Sequence, residues 1–398
     1  MSKENRVFII SASDRYNFGD LLFNYIVDFF LSEYCKNKYE IIFTSLSGND
    51  LQSVQGHKTV GLTKGLKRIG DGDVLIFAGG GVLGHKWAPM FLQAEGGKKI
   101  KKIKKLMPDW LFEGFIKLFY FKTKARYPYT RSINDFNKSV RVIYNSVGGG
   151  ALNGMSSVET KRVLTRLKTA SYISVRDQNI QNIISGIKSN LVPDSAILLS
   201  EKITKDELYS MAESNIKNIL DQNYIILHFN KKISNRYFDE IQELITGIKN
   251  NFNFNIFLMP VNYIDNTDME GMISHEKNRN CTVIKNKLKV FEICALIANS
   301  KLMIGSSLHT NIIACSYGVP HLGATHSVSK VNNFFKTWYP SDSVFNSYDL
   351  KKILEIIPNA LDNKSEVKKN SERLKLVAID NFNKINQIME REANPPEK

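Results

Sequence analysis

Short apolar runs alternate with longer stretches of helical periodicity along almost the whole chain. In the first half, runs at 7–11, 41–44, 74–77, 140–145 and 172–175 read as buried strands, most of them joined by segments long enough for a crossover helix. The second half repeats the arrangement with runs at 224–229, 254–261, 282–284, 302–304 and 321–323, interleaved with helical patterns at 237–249, 290–299 and 309–317. Continuously apolar strands separated by helices predict parallel sheets covered on both faces. The fold class expected is α/β, built from two doubly wound, Rossmann-like domains.

A polar and charged stretch at 200–223 separates the two halves. The pattern thus predicts an N-terminal domain over 1–199, a second over 200–348, and a charged helical segment over 349–398 whose N-P-P-E-K end should fray. At 398 residues the chain exceeds the usual size of one hydrophobic core, which agrees with two domains. In open parallel sheets, ligands sit beyond the carboxyl ends of the strands, so two such domains facing each other would frame a cleft there.

One segment breaks the alternation. Residues 96–105 read G-G-K-K-I-K-K-I-K-K, and 106–121 add Trp110, Phe112, Phe115, Phe119, Tyr120 and Phe121. Lysines beside an aromatic-rich amphipathic stretch fit an insertion, 96–130, lying in the headgroup layer of an anionic membrane; a solvated basic loop followed by a core helix is the plainer reading. The excess of 54 Lys and Arg over 39 Asp and Glu, a formal charge of +15, favours anionic partners in general. No RNA or DNA motif accompanies the lysines, so nucleic acid is not expected. No apolar run approaches the roughly 18 residues needed to cross a bilayer. Four scattered cysteines without a C-x-x-C pair, and an N-terminus that enters a strand at once, predict a reduced, cytoplasmic protein, peripheral on the inner membrane face if the insertion binds lipid.

Candidate chemistry gathers where predicted strands end. The richest stretch is K-L-M-I-G-S-S-L-H-T-N-I-I-A-C-S-Y-G-V-P, in which a strand runs through Gly305, Ser306 and Ser307 into a helix starting near His309. The first N–H groups of a helix lack intrahelical partners and carry the positive end of its dipole, so a phosphate or carboxylate would be stabilised at 305–307 with His309 beside it. The first strand ends in S-A-S-D-R-Y-N-F-G-D, where Asn17 and Asp20 flank Gly19; this is not G-x-G-x-x-G, and dinucleotide binding is not supported. Two triplets, Gly79, Gly80, Gly81 and Gly148, Gly149, Gly150, each follow a strand and predict backbone close to a passing sugar or phosphate, or else turns packed tightly on one another. His85 follows the first triplet as a candidate proton donor or acceptor. Arg176, in S-V-R-D, could clamp an anion or sit in an internal ion pair, and Asp177 could orient it or cap the next helix. No H-E-x-x-H or comparable spacing calls for a metal, and no cofactor is expected.

Taken in order, N-F-G-D, F-A-G-G-G, S-V-G-G-G, S-V-R-D, V-P-D and I-G-S-S-L-H-T-N resemble the motifs of the polysaccharide pyruvyl transferase family, over about 7–330. The resemblance implies a GT-B-type fold and transfer of pyruvate from phosphoenolpyruvate, as co-substrate, onto a sugar of a surface polysaccharide as a ketal; the lysine-aromatic segment adds the expectation that the acceptor is its lipid-linked precursor, met at the inner membrane face. It gives Arg176 a donor-binding role, puts His309 at the donor phosphate, and makes Lys330 the lysine following the last strand of the second domain. Many members read R-L-H where this chain has Ser307-Leu308-His309, and a serine cannot supply that charge. The competing reading is a GT-B glycosyltransferase using a nucleotide sugar; a non-catalytic subunit of a polysaccharide assembly is a third. The acceptor sugar and the oligomeric state are not legible.

Overall fold

The computed structural model describes residues 5–391 except 37, 265, 266 and 279. The chain divides into two compact units, one formed by Met1–Ser195 with Ile379–Lys398, the other by Ala196–Ala378.

The first unit is a seven-stranded, wholly parallel sheet. Its strands are β1 (Asn5–Ile10), β2 (Tyr39–Ser45), β3 (Val60–Gly61), β4 (Val74–Phe77), β5 (Arg141–Val147), β6 (Tyr172–Val175) and β7 (Asn190–Leu191), in the order β3-β2-β1-β4-β5-β6-β7. β4 and β5 are buried along their entire length, as an unbroken apolar run must be when helices cover both faces. The strand order reverses between β1 and β4, so the loops leaving these neighbours diverge and open a crevice at their carboxyl ends.

The second unit repeats the plan with β8 (Tyr224–His228), β9 (Asn255–Leu258), β10 (Thr282–Val283), β11 (Met303–Gly305), β12 (His321–Ala324) and β13 (Ser347–Tyr348), all parallel, in the order β10-β9-β8-β11-β12-β13. Its reversal lies between β8 and β11. The sequence pattern found every interior strand of both sheets and missed β3, β7 and β13, edge strands of two residues each that carry no periodicity of their own.

The C-terminal segment forms two helices, Leu350–Asp362 and Lys364–Glu390, and does not stand as a separate part. From Ile379 the second helix belongs to the first unit. Phe382 stacks on Phe30 at 5.0 Å, Asn381 donates to Asn145 Oδ1 at 2.7 Å and accepts from Tyr172 at 2.9 Å, and Arg141 Nε donates to the Arg391 carbonyl at 2.8 Å. Fidelity to a 3.6-residue period says that a helix forms; it does not say which sheet its apolar stripe will cover.

Candidate functional site

In the second unit the reversal point is tied into a knot. β11 runs into Gly305, and a Cβ there would come within 2.7 Å of Met303 Cε and 3.2 Å of the His228 carbonyl, so glycine is what lets the two strands' exits approach. Ser306 is buried; its N–H donates to the His228 carbonyl at 2.9 Å, and its Oγ accepts from the Asn230 N–H at 3.1 Å. Asn230 in turn caps the helix Lys231–Arg236 through Ile233 N at 3.1 Å. The fully buried Asn311 clamps the turn from below, donating to the carbonyls of Gly305 (3.1 Å) and Ser307 (2.7 Å). Ser307 is the N-cap of the helix Leu308–Ser316 but makes no side-chain cap bond. The half-buried His309 lies in the first turn of that helix. The expected strand-turn-helix at 305–309 is thus present, rigidly braced, with its helix start not closed by its own serine.

Sequence reasoning did not single out His228, Asn230 or Asp268. His228 is buried, with Nδ1 2.9 Å from the Met259 carbonyl and Nε2 3.9 Å from Asp268, whose carboxylate also accepts from the amide of Asn262 at 3.0 Å. Burial holds the His228 pKa below its ordinary value against the pull of Asp268, and the Lys330 charge adds to the depression. The available signal was the polar close of an apolar strand, I-I-L-H-F-N, opposite G-S-S at the strand reversal. Lys330 is exposed near the start of the helix Ser329–Trp338. It follows β12, which is not the last strand of this unit, because β13 pairs outside it.

The first unit gathers a second cluster at the carboxyl ends of β1, β4, β5 and β6. The glycine triplets are bonded to each other, Gly148 N–H to the Gly80 carbonyl at 2.7 Å and Leu83 N–H to the Gly148 carbonyl at 3.1 Å. Gly79 has φ of 129° and lies on the Phe23 ring, which a Cβ would approach to 2.6 Å. At Gly148 a Cβ would be 2.7 Å from Arg176 Nε. Gly79, Gly80, Gly148 and Gly149 are buried, and close packing alone accounts for glycine at 79 and 148; Gly81 is partly exposed and Gly150 exposed. Arg176 is buried beneath the second triplet, with Nη1 2.9 Å from Asp194, itself almost wholly buried. The V-P-D turn therefore supplies a buried counter-charge. Asp177 caps the helix Gln178–Ile183 through Ile180 N at 3.0 Å.

Asp20 lies in the first turn of the helix Phe18–Cys35, whose N-cap, Asn17, makes no side-chain cap bond. Asp20 accepts from Arg15 Nη2 at 3.2 Å. Arg15 is the residue the sequence analysis passed over in S-D-R-Y-N-F-G-D. It is buried, and its Nε and Nη1 have no hydrogen-bond partner among the described residues. Donors buried without a partner are rare and mark a place where a ligand or water is wanted. His85, half-buried, has its pKa lowered by burial first and by the Arg15 charge next, against a bond with the Gly81 backbone and the pull of Asp20, so the neutral imidazole dominates at neutral pH. The structure thus brings Asp20, His85 and Gly80 together in this unit, and Ser306, His309 and Lys330 lie with the other sheet. Among the described residues no group of three His, Cys, Asp or Glu could hold a metal ion.

Two doubly wound parallel α/β units, each with polar groups at its strand-reversal point, place the chain in the GT-B-like fold class. Solved structures share the architecture. The Anabaena protein HepE in complex with UDP and glucose aligns with a TM-score of 0.52 at 11% identity, over 96% of this chain and 98% of that one. A UDP-GlcNAc 2-epimerase from Methanocaldococcus jannaschii, in complex with UDP-GlcNAc and UDP, aligns at 0.50 with 12% identity over 90% and 93%. At such identities the likeness concerns the fold. No curated protein matches the sequence. The family model for polysaccharide pyruvyl transferase matches residues 17–327, and the chain belongs to that family, a family of transferases.

Proposed function

We propose that this transferase moves pyruvate from phosphoenolpyruvate onto two hydroxyls of a saccharide, forming a cyclic ketal. The observation that carries the reading is the braced 305–307 turn, a glycine, a buried serine and an uncapped helix start with His309 in its first turn, inside a chain of this family. The donor phosphate takes its place on that turn, facing the N–H groups at the helix start, with Lys330 supplying a nearby charge. His309 protonates the methylene carbon while one hydroxyl attacks the second carbon; phosphate leaves, and the second hydroxyl closes the ring. Asp20 and His85 are the candidates to take the hydroxyl protons, and the depressed pKa of His85 suits a base at neutral pH. Asn17 and the exposed side of the glycine turns are assigned to the acceptor. Arg176 is retained for the donor carboxylate on the strength of the S-V-R-D match, in competition with its pair to Asp194. The scheme calls for no metal or cofactor.

The serine at 307 and fold neighbours solved with UDP support a second reading, transfer from a nucleotide sugar. Thermal melting separates the two, because a ligand that binds only the folded state stabilises it by an amount that grows with the logarithm of one plus its concentration divided by its dissociation constant. Phosphoenolpyruvate is expected to stabilise the protein, and UDP-sugars at equal concentration are not. A shift with UDP-sugars alone would replace the donor.

The acceptor is proposed to be lipid-linked and met at an anionic membrane surface, with the lysines of 98–105 drawing the protein there. Replacing all six with Gln is expected to abolish salt-sensitive co-sedimentation with anionic vesicles. Unchanged sedimentation would remove membrane recruitment from the scheme.

A further inference from the structure

The segment after the lysine run presents its apolar residues to solvent. Leu106 is 83% exposed, Trp110 76%, Leu118 64% and Phe119 64%, and Ile103, Leu111 and Tyr120 are also exposed. More than half of the large apolar side chains exposed on the described chain fall within these eighteen positions, so the clustering is local and not a general property of the surface. The segment is nonetheless folded. Phe112 and Ile116 are fully buried in the core of the first unit, and Glu113 accepts from the amides of Trp87 (3.0 Å) and Ala88 (2.8 Å), fixing the helix Asp109–Phe115 against the helix Trp87–Gln93. The outward apolar face is therefore held rigid.

Beside this face lies a cavity of about 510 Å³. Trp110 stands on its wall, Ala88, Pro89 and Leu92 line it, and four cations, Lys86, Lys104, Lys117 and Arg126, meet two carboxylates there. Both carboxylates are engaged, Glu113 with backbone amides and Asp109 with Lys104, and Arg126 is paired with Glu159, so Lys86 and Lys117 are the lining cations for which no ion pair is seen among the described residues. Among the described residues no helix is long and apolar enough to cross a membrane, so a lipid contact here is a surface contact. A rigid apolar ridge next to a cationic hollow offers a bilayer two separate fits: side chains to enter the acyl boundary, and a seat for a phosphate at headgroup level.

We infer that this hollow is a binding site for the phosphate of an anionic lipid, with Trp110, Leu118 and Phe119 inserted into the same leaflet. The inference rests on the membrane reading of the proposed function and deepens it, turning general attraction by lysines into a seated headgroup and an inserted ridge.

Trp87 and Trp338 are buried, so of the three tryptophans Trp110 alone reports contact at the surface. With vesicles of phosphatidylcholine containing about one-third phosphatidylglycerol, its emission is expected to shift to the blue and to be quenched by labels on the acyl chains. Lys86→Gln with Lys117→Gln should weaken binding to these vesicles by about tenfold or more. Leu118→Ser with Phe119→Ser should remove the acyl-chain quenching with only a small fall in melting temperature, since both side chains are largely exposed and Phe119 touches the core only through the Phe115 ring at 5.0 Å. No shift of Trp110 emission on anionic vesicles would overturn the inference. So would an equal shift with soluble glycerol phosphate, or a self-association in sedimentation velocity that hides Trp110 without lipid. The stabilisation by phosphoenolpyruvate, measured on the same lysine variants, is expected to persist; its loss from the parent protein would sink the donor reading and leave the lipid site standing.

Discussion

His309→Ala is expected to keep the fold and to lose roughly two or more orders of magnitude in turnover, the scale of removing a general acid. The argument is local. Asn311 holds the carbonyls of Gly305 and Ser307, Ser306 ties the turn to His228 and Asn230, and none of these bonds runs through the His309 side chain. Truncating His309 therefore leaves the 305–307 turn in place while removing the group proposed to protonate the methylene carbon. Phosphate release from phosphoenolpyruvate in the presence of saccharide measures the effect, and the thermal stabilisation by phosphoenolpyruvate should fall far less than the rate. Turnover close to that of the parent protein would dismiss His309 as the acid.

Asp194→Ala is expected to cost about 3–5 kcal/mol of folding stability, as removal of one member of a buried ion pair leaves the other charge buried without compensation. Asp194 is 2% exposed and Arg176 9%, so water cannot take over the missing partner. The guanidinium also fills the space that glycine leaves open at position 148, which keeps it from swinging to solvent without unpacking the turn. The double variant Arg176→Met, Asp194→Leu removes both charges and should regain most of the lost stability. Its turnover then decides what Arg176 is for. If Arg176 holds the donor carboxylate, the refolded double variant remains down by about a hundredfold; turnover restored along with stability would make it a structural residue of the first unit alone. Urea unfolding and phosphate release on the same preparations give both readings.

Much of this was legible from the residues. Nine of the ten apolar runs located the interior strands, because a strand buried on both faces must be apolar throughout whatever it pairs with, and the tenth fell on the edge strand β10. The 305–307 turn was visible for a similarly local reason: glycine and serine between a strand and a helix leave helix amides open. Asp177, ambiguous in S-V-R-D, turned out to be an N-cap, and the partner of Arg176 could not be read because its counter-charge, Asp194, lies 18 residues on, in V-P-D. Arg15 was hidden for the opposite reason. Nothing in its neighbours marks it; it matters because β1 and β4 are adjacent and the loops beyond them bury it.

The sequence by itself determined the parallel α/β plan, the two halves, and the places where strands give way to polar turns, because periodicity, glycine and helix-capping chemistry act over a few residues. The tertiary structure decided which turns share a strand-reversal point, that Arg176 is neutralised by Asp194, that the last helix closes on the first sheet, and that Trp110 and Phe119 face water while Phe112 does not. These are pairings across tens to hundreds of residues, set by strand order and by which faces remain to be covered, and a one-dimensional pattern carries no record of them.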